Sequence, residues 1–312
     1  MSDGSVTMVL GASGFIGRHV CCTLAQQGMP VFGLGHGLWS TDEQRRWGLA
    51  RWLQADAEIG ALAELLGSRP LAAIIHCAGG SAVAASYAEP LADFRRTVDS
   101  TAQVLEFART RAGNTPRVVL TSSAAVYGDQ GDVDVTETSA CSPISPYGFH
   151  KLAAEHLCTS YARFFNVPVT VVRLFSVYGN GLRKQLLWEA CQKFQRQEPQ
   201  FFGTGHELRD WIHVSDAAAL LCAAAGAPQA RSALYNGGSE QASTRDVLTM
   251  LGSLFDGQPV PFFTGNTHTG NPRRLTADCD HAQHQLGWRP HIQLPNGLRQ
   301  YAQWFKSITA HQ

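Results

Sequence analysis

No run of this 312-residue chain approaches the roughly 18 apolar residues that a membrane-spanning helix requires, so a membrane-embedded protein is not expected. Neither sign of charge predominates. Lys+Arg and Asp+Glu each number 25, leaving no global field to draw the chain to nucleic acid or to an anionic membrane. An anionic ligand must then be held by groups placed locally. The opening MSDGSVTMVLGASG has no basic segment leading into an apolar one, so a secretory signal is not expected either. The cysteines at 21, 22, 77, 141, 158, 191, 222 and 279 include no Cys-x-x-Cys pair and no histidine ladder at metal-ligand spacing. They read as free thiols in a reducing cytoplasm, and no metal is expected. Internal repeats, low-complexity tracts and a linker between independent domains are lacking too. The composition that remains, 44% hydrophobic against 16% charged, is enough for a sizeable packed core.

Short apolar runs alternate with helical patterns in the first half. Val6–Leu10, Pro30–Leu34, Ala72–Cys77, Arg117–Ser122 and Val167–Leu174 read as strands. Gly14–Gln27, with Phe15, Ile16, Val20 and Leu24 at helical spacing, reads as a helix, as do Pro90–Arg111 and Pro146–Phe165. That alternation predicts an α/β fold, a Rossmann-type doubly wound parallel sheet with helices on both faces. After Tyr178 the rhythm changes: Leu182–Arg196, Val214–Gly226 and Leu294–Ile308 read as helices and Pro199–Phe202 as a short strand, with Gly and Pro frequent from 257 to 272. The expected organisation is a dinucleotide-binding domain over 1–175, with 209–240 returning to it. A smaller mixed C-terminal lobe over 176–208 and 241–312 would bind substrate.

The chemistry begins at GASGFIG. Gly11, Gly14 and Gly17 stand between the first strand and first helix, where glycine permits a tight turn, close approach of a pyrophosphate and close helix–sheet packing. The positive helix N-terminus then faces the diphosphate. The loop nominates Gly11, Ser13, Gly14, Phe15, Ile16 and Gly17 as cofactor ligands, and Ala78 follows a strand in IIHCAGG. An NAD site normally has a carboxylate at the end of the second strand. Here Gly35 and His36 stand there, with Arg18, Arg45 and Arg46 nearby, so the 2′-phosphate of NADP(H) is favoured and NAD(H) is the alternative. Asp56 can accept from an adenine amino group or be a solvated loop residue.

Tyr147 and Lys151 form Tyr-x-x-x-Lys at a predicted helix start, so both lie on one helix face. A free tyrosine titrates at roughly pH 10, and a neighbouring ammonium and a cationic nicotinamide both favour its phenolate. Ser123, at a strand end, can hydrogen-bond the same substrate oxygen. Ser123, Tyr147 and Lys151 are the candidate catalytic residues.

In order and spacing, GASGFIG, IIHCAGG, VVLTSSAAVYG, SPYGFHK, VVRLFSVYG and LRDWIHVSDAA resemble the extended short-chain dehydrogenases, specifically the nucleotide-sugar epimerases, dehydratases and reductases, of the UDP-galactose 4-epimerase-like kind. The likeness runs from the glycine loop to the closing LGWRP. It implies a nucleotide-diphosphate sugar as partner, Tyr147 as acid/base, Lys151 also on the nicotinamide ribose, and Ser123 on the reacting oxygen. It also implies a homodimer in which Thr97–Arg111 and Tyr147–Phe165 form a four-helix bundle, the apolar Val98, Val104, Leu105 and Phe107 fitting either that interface or the core. Ala124 and Ala125 replace the Asp–Glu pair of the 4,6-dehydratases, which disfavours dehydration. Ser176 and Thr97 stand where relatives of the epimerase type often carry Asn. Arg209 matches an arginine that clamps the pyrophosphate, a task suited to a bidentate guanidinium. A second family arginine falls at His268, ahead of Gly270, Asn271 and Pro272, so Arg273 or Arg274 is the candidate substitute. Ser81, Ser176, Gln185 and Arg274 complete the expected substrate contacts; His76 and His150 read as packing or surface groups. The expected reaction is NADPH-dependent reduction of a 4-keto nucleotide sugar. A 4-epimerase that retains NAD is the alternative, and a dinucleotide-binding regulator without turnover a remote one.

Overall fold

The computed structural model describes residues 4–37, 39–80, 82–111, 115–227, 232–265 and 272–310. The chain opens with strand β1 (Val6–Leu10), helix α1 (Phe15–Gln26), β2 (Val31–Gly35), α2 (Thr41–Arg46), β3 (Leu49–Gln54), α3 (Ile59–Leu66) and β4 (Leu71–His76). Short helices α4 (Val83–Ala88) and α5 (Pro90–Phe94) run through a π-helical turn, Arg95–Asp99, into α6 (Ser100–Arg109). Then come β5 (Arg117–Ser123), α7 (Pro146–Phe165) and β6 (Val169–Leu174). The second half carries β7 (Ser176–Tyr178), α8 (Gln185–Gln195), β8 (Gln200–Phe201), β9 (Leu208–His213), α9 (Val214–Gly226) and β10 (Ser232–Gly237). It closes with β11 (Glu240–Ser243), α10 (Thr244–Gly252), β12 (Phe262–Phe263), β13 (Arg274–Leu275), α11 (Asp280–Leu286) and α12 (Leu294–Thr309).

Among the described residues, seven strands form one parallel sheet in the order β10-β6-β5-β4-β1-β2-β3. The order reverses beside β1, which opens a crevice at the carboxyl ends of β1 and β4, where an open α/β sheet receives ligands. Val6, Met8 and Leu10 pack with Ile74, Val118 and Leu120 on one face, beneath α3, α6 and α7. Val9, Ile75, Val119 and Val172 pack on the other beneath α1 and α9. Strands buried on both faces read as continuous apolar runs, which is why this part of the sheet is visible in the sequence. A third core, including Phe194, Trp211, Leu248 and Phe305, lies under the C-terminal half.

Several expectations need correction. Strand β3, LARWLQ, and helices α2 and α3 went unforeseen; β3 is an edge strand whose residues are all partly or fully exposed, so it carries no apolar run. The predicted helix over Pro90–Arg111 is broken by the π-helical turn. The helix expected from Leu182 begins at Gln185. Within 209–240, α9 and β10 pack on or pair with the main sheet, but β9 joins β7, β11 and β13 in a second, four-stranded sheet. Of the two readings left open for Val98, Val104, Leu105 and Phe107, the core one holds, since all four are buried in the protomer.

Candidate active site

A single cavity of about 1950 Å³ runs from the glycine loop, past the carboxyl ends of β1, β4 and β5, to β9 and the start of α8. Gly11, Ser13, Gly14, Phe15, Ile16, Gly17, His36, Asp56, Ala78, Ser123, Tyr147, Lys151, Ser176, Gln185 and Arg209 all line it. The glycine loop is tight for a reason. Gly11 has φ +74°, and a Cβ there would lie 2.8 Å from the Ala78 nitrogen; one on Gly17 would overlap the Gly11 carbonyl. The backbone thus comes close under the amides that open α1, a cradle that suits the diphosphate of a dinucleotide.

The ribose end departs from the NADP expectation. His36 Nε2 lies 2.8 Å from Asp56 Oδ1, so a carboxylate arriving from the end of β3 stands beside the imidazole. The Arg18 guanidinium donates to the Ser13 carbonyl at 2.6 Å, lies over Trp47 and does not line the cavity. Arg45 and Arg46, on α2, stay outside the lining as well, Arg45 facing Asp42 at 3.6 Å. The cations proposed for a 2′-phosphate are therefore not assembled, and an acid is.

At the centre, Ser145 caps α7 by accepting from Gly148 N, and Pro146 occupies its first position. Ser86 Oγ accepts from Tyr147 N at 3.0 Å and fixes the start of the helix against α4. Lys151 Nζ lies 5.8 Å from the Tyr147 ring centroid and donates to the Thr121 carbonyl at 3.0 Å. Burial pulls the Lys151 ammonium down to about 8, opposed by the charge of Asp93. Burial pushes the Tyr147 phenol up; a hydrogen bond with Ser123 draws it back, while Asp93 adds to the rise. Ser123, at the end of β5, also accepts from Ala125 N at 3.2 Å, and the turn it caps presents Ala124 and Ala125, which carry no proton-transferring group.

Beneath β5, Glu155 of α7 and Arg173 of β6 form a buried pair at 2.6 Å, and Ser122 Oγ donates to the same carboxylate at 2.5 Å. This network anchors the helix that carries Tyr147 to the strand that ends at Ser123.

At the far end, Arg209 is held by the Leu208 and Pro272 carbonyls, each at 2.7 Å, with its guanidinium at the cavity wall. Gln185 lines the wall with φ +66°, a left-handed conformation uncommon outside glycine. Arg274 is a correction: it binds Asp134 at 2.7 Å and Thr276 at 2.9 Å, away from the cavity, whereas Arg273 lines it. Ser81, His268, Gly270 and Asn271 lie outside the described residues. Sequence reading missed Lys184, Phe202, Arg95 and Arg96, all of which line the cavity, because no spacing links them to the glycine loop or to Tyr147. It also missed that His150 binds a buried acid, Asp93, at 2.6 Å.

A sequence model of the NAD dependent epimerase/dehydratase family matches residues 7–238. The chain belongs to that family. This epimerase/dehydratase chain is an enzyme of the extended short-chain dehydrogenase type. It is 31% identical to a UDP-glucose 4-epimerase of Azospirillum brasilense, over 96% of this chain and 92% of that one. Among solved structures it is similar to MoeE5 in complex with UDP-glucuronic acid and NAD, with a TM-score of 0.86, 29% identity, and 97% of this chain and 100% of that one covered. It is also similar to the UDP-glucuronic acid 4-epimerase from Bacillus cereus in complex with UDP-glucuronic acid and NAD. That match has a TM-score of 0.87 and 26% identity, over 97% of this chain and 99% of that one.

Proposed function

We propose that this family member is a nucleotide-hexose 4-epimerase that retains NAD and takes a UDP-hexose or UDP-hexuronate. The observation that carries the choice is the ribose end of the cavity. The His36–Asp56 pair supplies an acid there and Arg18 donates to the Ser13 carbonyl, which favours NAD over the 2′-phosphate of NADP. The relatives named above, with UDP-glucose or UDP-glucuronic acid in their names, support the substrate class.

In this reading Gly11, Gly14 and Gly17 hold the diphosphate of NAD, Asp56 and His36 meet its adenosine, and Lys151 meets its nicotinamide ribose. NAD held there would supply the hydride chemistry, a reversible oxidation at carbon 4 that lets the sugar present its opposite face. Tyr147, as phenolate, takes the proton of the 4-hydroxyl and later gives it back, so the net proton count is unchanged. Ser123 hydrogen-bonds the same oxygen and holds it against the phenol. Arg209, Lys184 and Arg273 face the sugar-nucleotide diphosphate, and Ser176 and Gln185 the sugar end. Ala124 and Ala125 cannot move the proton that elimination of water would need.

The protein pairs with a second copy through α5 and α7, where Leu91, Phe94, Phe149 and Phe165 are exposed rather than buried. The deciding experiment is acid release of nucleotide from the purified protein, followed by a UDP-hexose panel read for exchange at carbon 4. Stoichiometric NAD and interconversion of the 4-epimers are the expected results. An empty protein that binds NADPH more tightly than NADH would overturn the proposal in favour of reduction.

A further inference from the structure

One buried acid near the centre has no part in the scheme above. Asp93, on α5, is 4% exposed, and an ionised carboxylate so placed needs a partner. It has one in His150, whose Nδ1 lies 2.6 Å from Oδ2 while the Phe94 ring meets the imidazole edge-on. The other carboxylate oxygen presses on Gly80, where even a Cβ would overlap it. Gly80 N donates to Thr97 Oγ1 at 2.9 Å, and a Cβ on the adjoining Gly79 would stand 3.2 Å from Lys151 Nζ. Carboxylate, two glycines and ammonium therefore form one continuous layer under the cavity wall. Tyr147, His150 and Lys151 fall at i, i+3 and i+4 of α7, so the imidazole that clamps Asp93 shares a helical turn with both reacting groups.

We infer that Asp93, clamped by His150, is a positioning residue that keeps Lys151 charged from behind the cavity wall. Burial alone disfavours that ammonium; Asp93 is the foremost charge opposing the effect. Other groups around this corner are Tyr147 and Glu155 of α7, His76 and Cys77 at the end of β4, and Arg95, Arg96 and Asp99 on the π-helical turn. Cys77 and Glu155 also favour the ammonium, less than Asp93, while Arg95, Arg96 and Asp99 are exposed residues of the cavity lining. His150 Nδ1 holds the carboxylate in place at 2.6 Å, with Gly79 and Gly80 between acid and amine.

The role in turnover rests on the proposed epimerase reading, but the charge on Lys151 can be followed without it. Protein carrying carbon-13 at the lysine ε-position reports each ammonium by NMR, with Lys151 assigned by its loss in Lys151→Met and Lys193 and Lys306 as internal references. Asp93→Asn, close to isosteric, is expected to lower the Lys151 midpoint by about half to one pH unit. His150→Gln, which retains a donor to Asp93, leaves it in place, and the references do not move. Should Asp93→Asn fail to fold, the smaller Asp93→Ser removes the same charge and carries the same expected fall. An unmoved Lys151 midpoint in the folded acid-neutralising variant, or an equal fall in His150→Gln, overturns the inference. If the chain epimerises, the alkaline limb of its rate profile falls with the midpoint; absence of epimerisation rejects the reaction and leaves the titration valid.

Discussion

Tyr147, Ser123 and Lys151 reach the cavity from one helix and one strand end, and their removal has separable effects. Tyr147→Phe removes the proton acceptor while leaving the ring's packing, so turnover is expected to fall roughly 10²–10⁴-fold with bound NAD and folding unchanged. Sugar exchange and released nucleotide, measured on one preparation, check this. Loss of cofactor together with activity would contradict it. Lys151 also leaves a mark on stability. Its ammonium titrates at about 8 in the folded chain and near the ordinary lysine value when unfolded. Between those values the unfolded state holds more protons, so stability contributed at this site rises with pH across that window. Urea unfolding of the cofactor-free protein should show that rise, and Lys151→Met should flatten it. At this scale the three candidate residues could be nominated from local signals, Tyr147 and Lys151 by their four-residue spacing and Ser123 by its strand-end motif, and all three line the cavity. Asp93 and His150 stand 57 positions apart, on elements whose meeting only the fold decides.

The elements that hold these residues depend on contacts of two kinds. The turn from β1 into α1 depends on missing side chains. Gly17→Ala forces a methyl into the Gly11 carbonyl, so the variant is expected to purify without nucleotide and to unfold at a lower temperature. The join between α7 and β6 depends on a buried charge pair. Arg173→Met leaves Glu155 without its cation and is expected to cost about 3–5 kcal/mol in chemical denaturation. Adding Glu155→Leu should recover part of that loss, which a simple cavity would not allow. Sequence periodicity found β1, β4, β5, β6 and α7 because each is buried on its sheet or presents a regular apolar face. It failed at β3, an exposed edge, and at Arg95–Asp99, where a π-helical turn breaks a continuous helical pattern without glycine or proline to signal it. It placed β9 with the wrong sheet because LRDWIHV has a strand's apolar content and nothing local that names its neighbour.

For the whole molecule, the exposed aromatics on α5 and α7 make the assembly testable. Leu91 and Phe149 are each about three-fifths exposed. Replacing both with Asp is expected to convert a dimer into a monomer by analytical ultracentrifugation, with the cavity unaltered; a wild-type monomer at assay concentration would remove the proposed pairing. The cofactor preference was legible only in part. The sequence correctly lacks an acid after β2, yet Asp56 arrives beside His36 from the neighbouring strand, across twenty residues. The cavity itself draws its walls from both sheets, with the glycine loop and Tyr147 on one side and Arg209 and Gln185 on the other. Whatever fills it tethers the two sheets, so heat resistance becomes a property of the solution as much as of the chain. A ligand at a hundred times its dissociation constant adds about 2.7 kcal/mol to folding. Shelf life and melting temperature should therefore vary between preparations with their nucleotide content, and a thermal shift screen becomes a way of asking the chain what it carries.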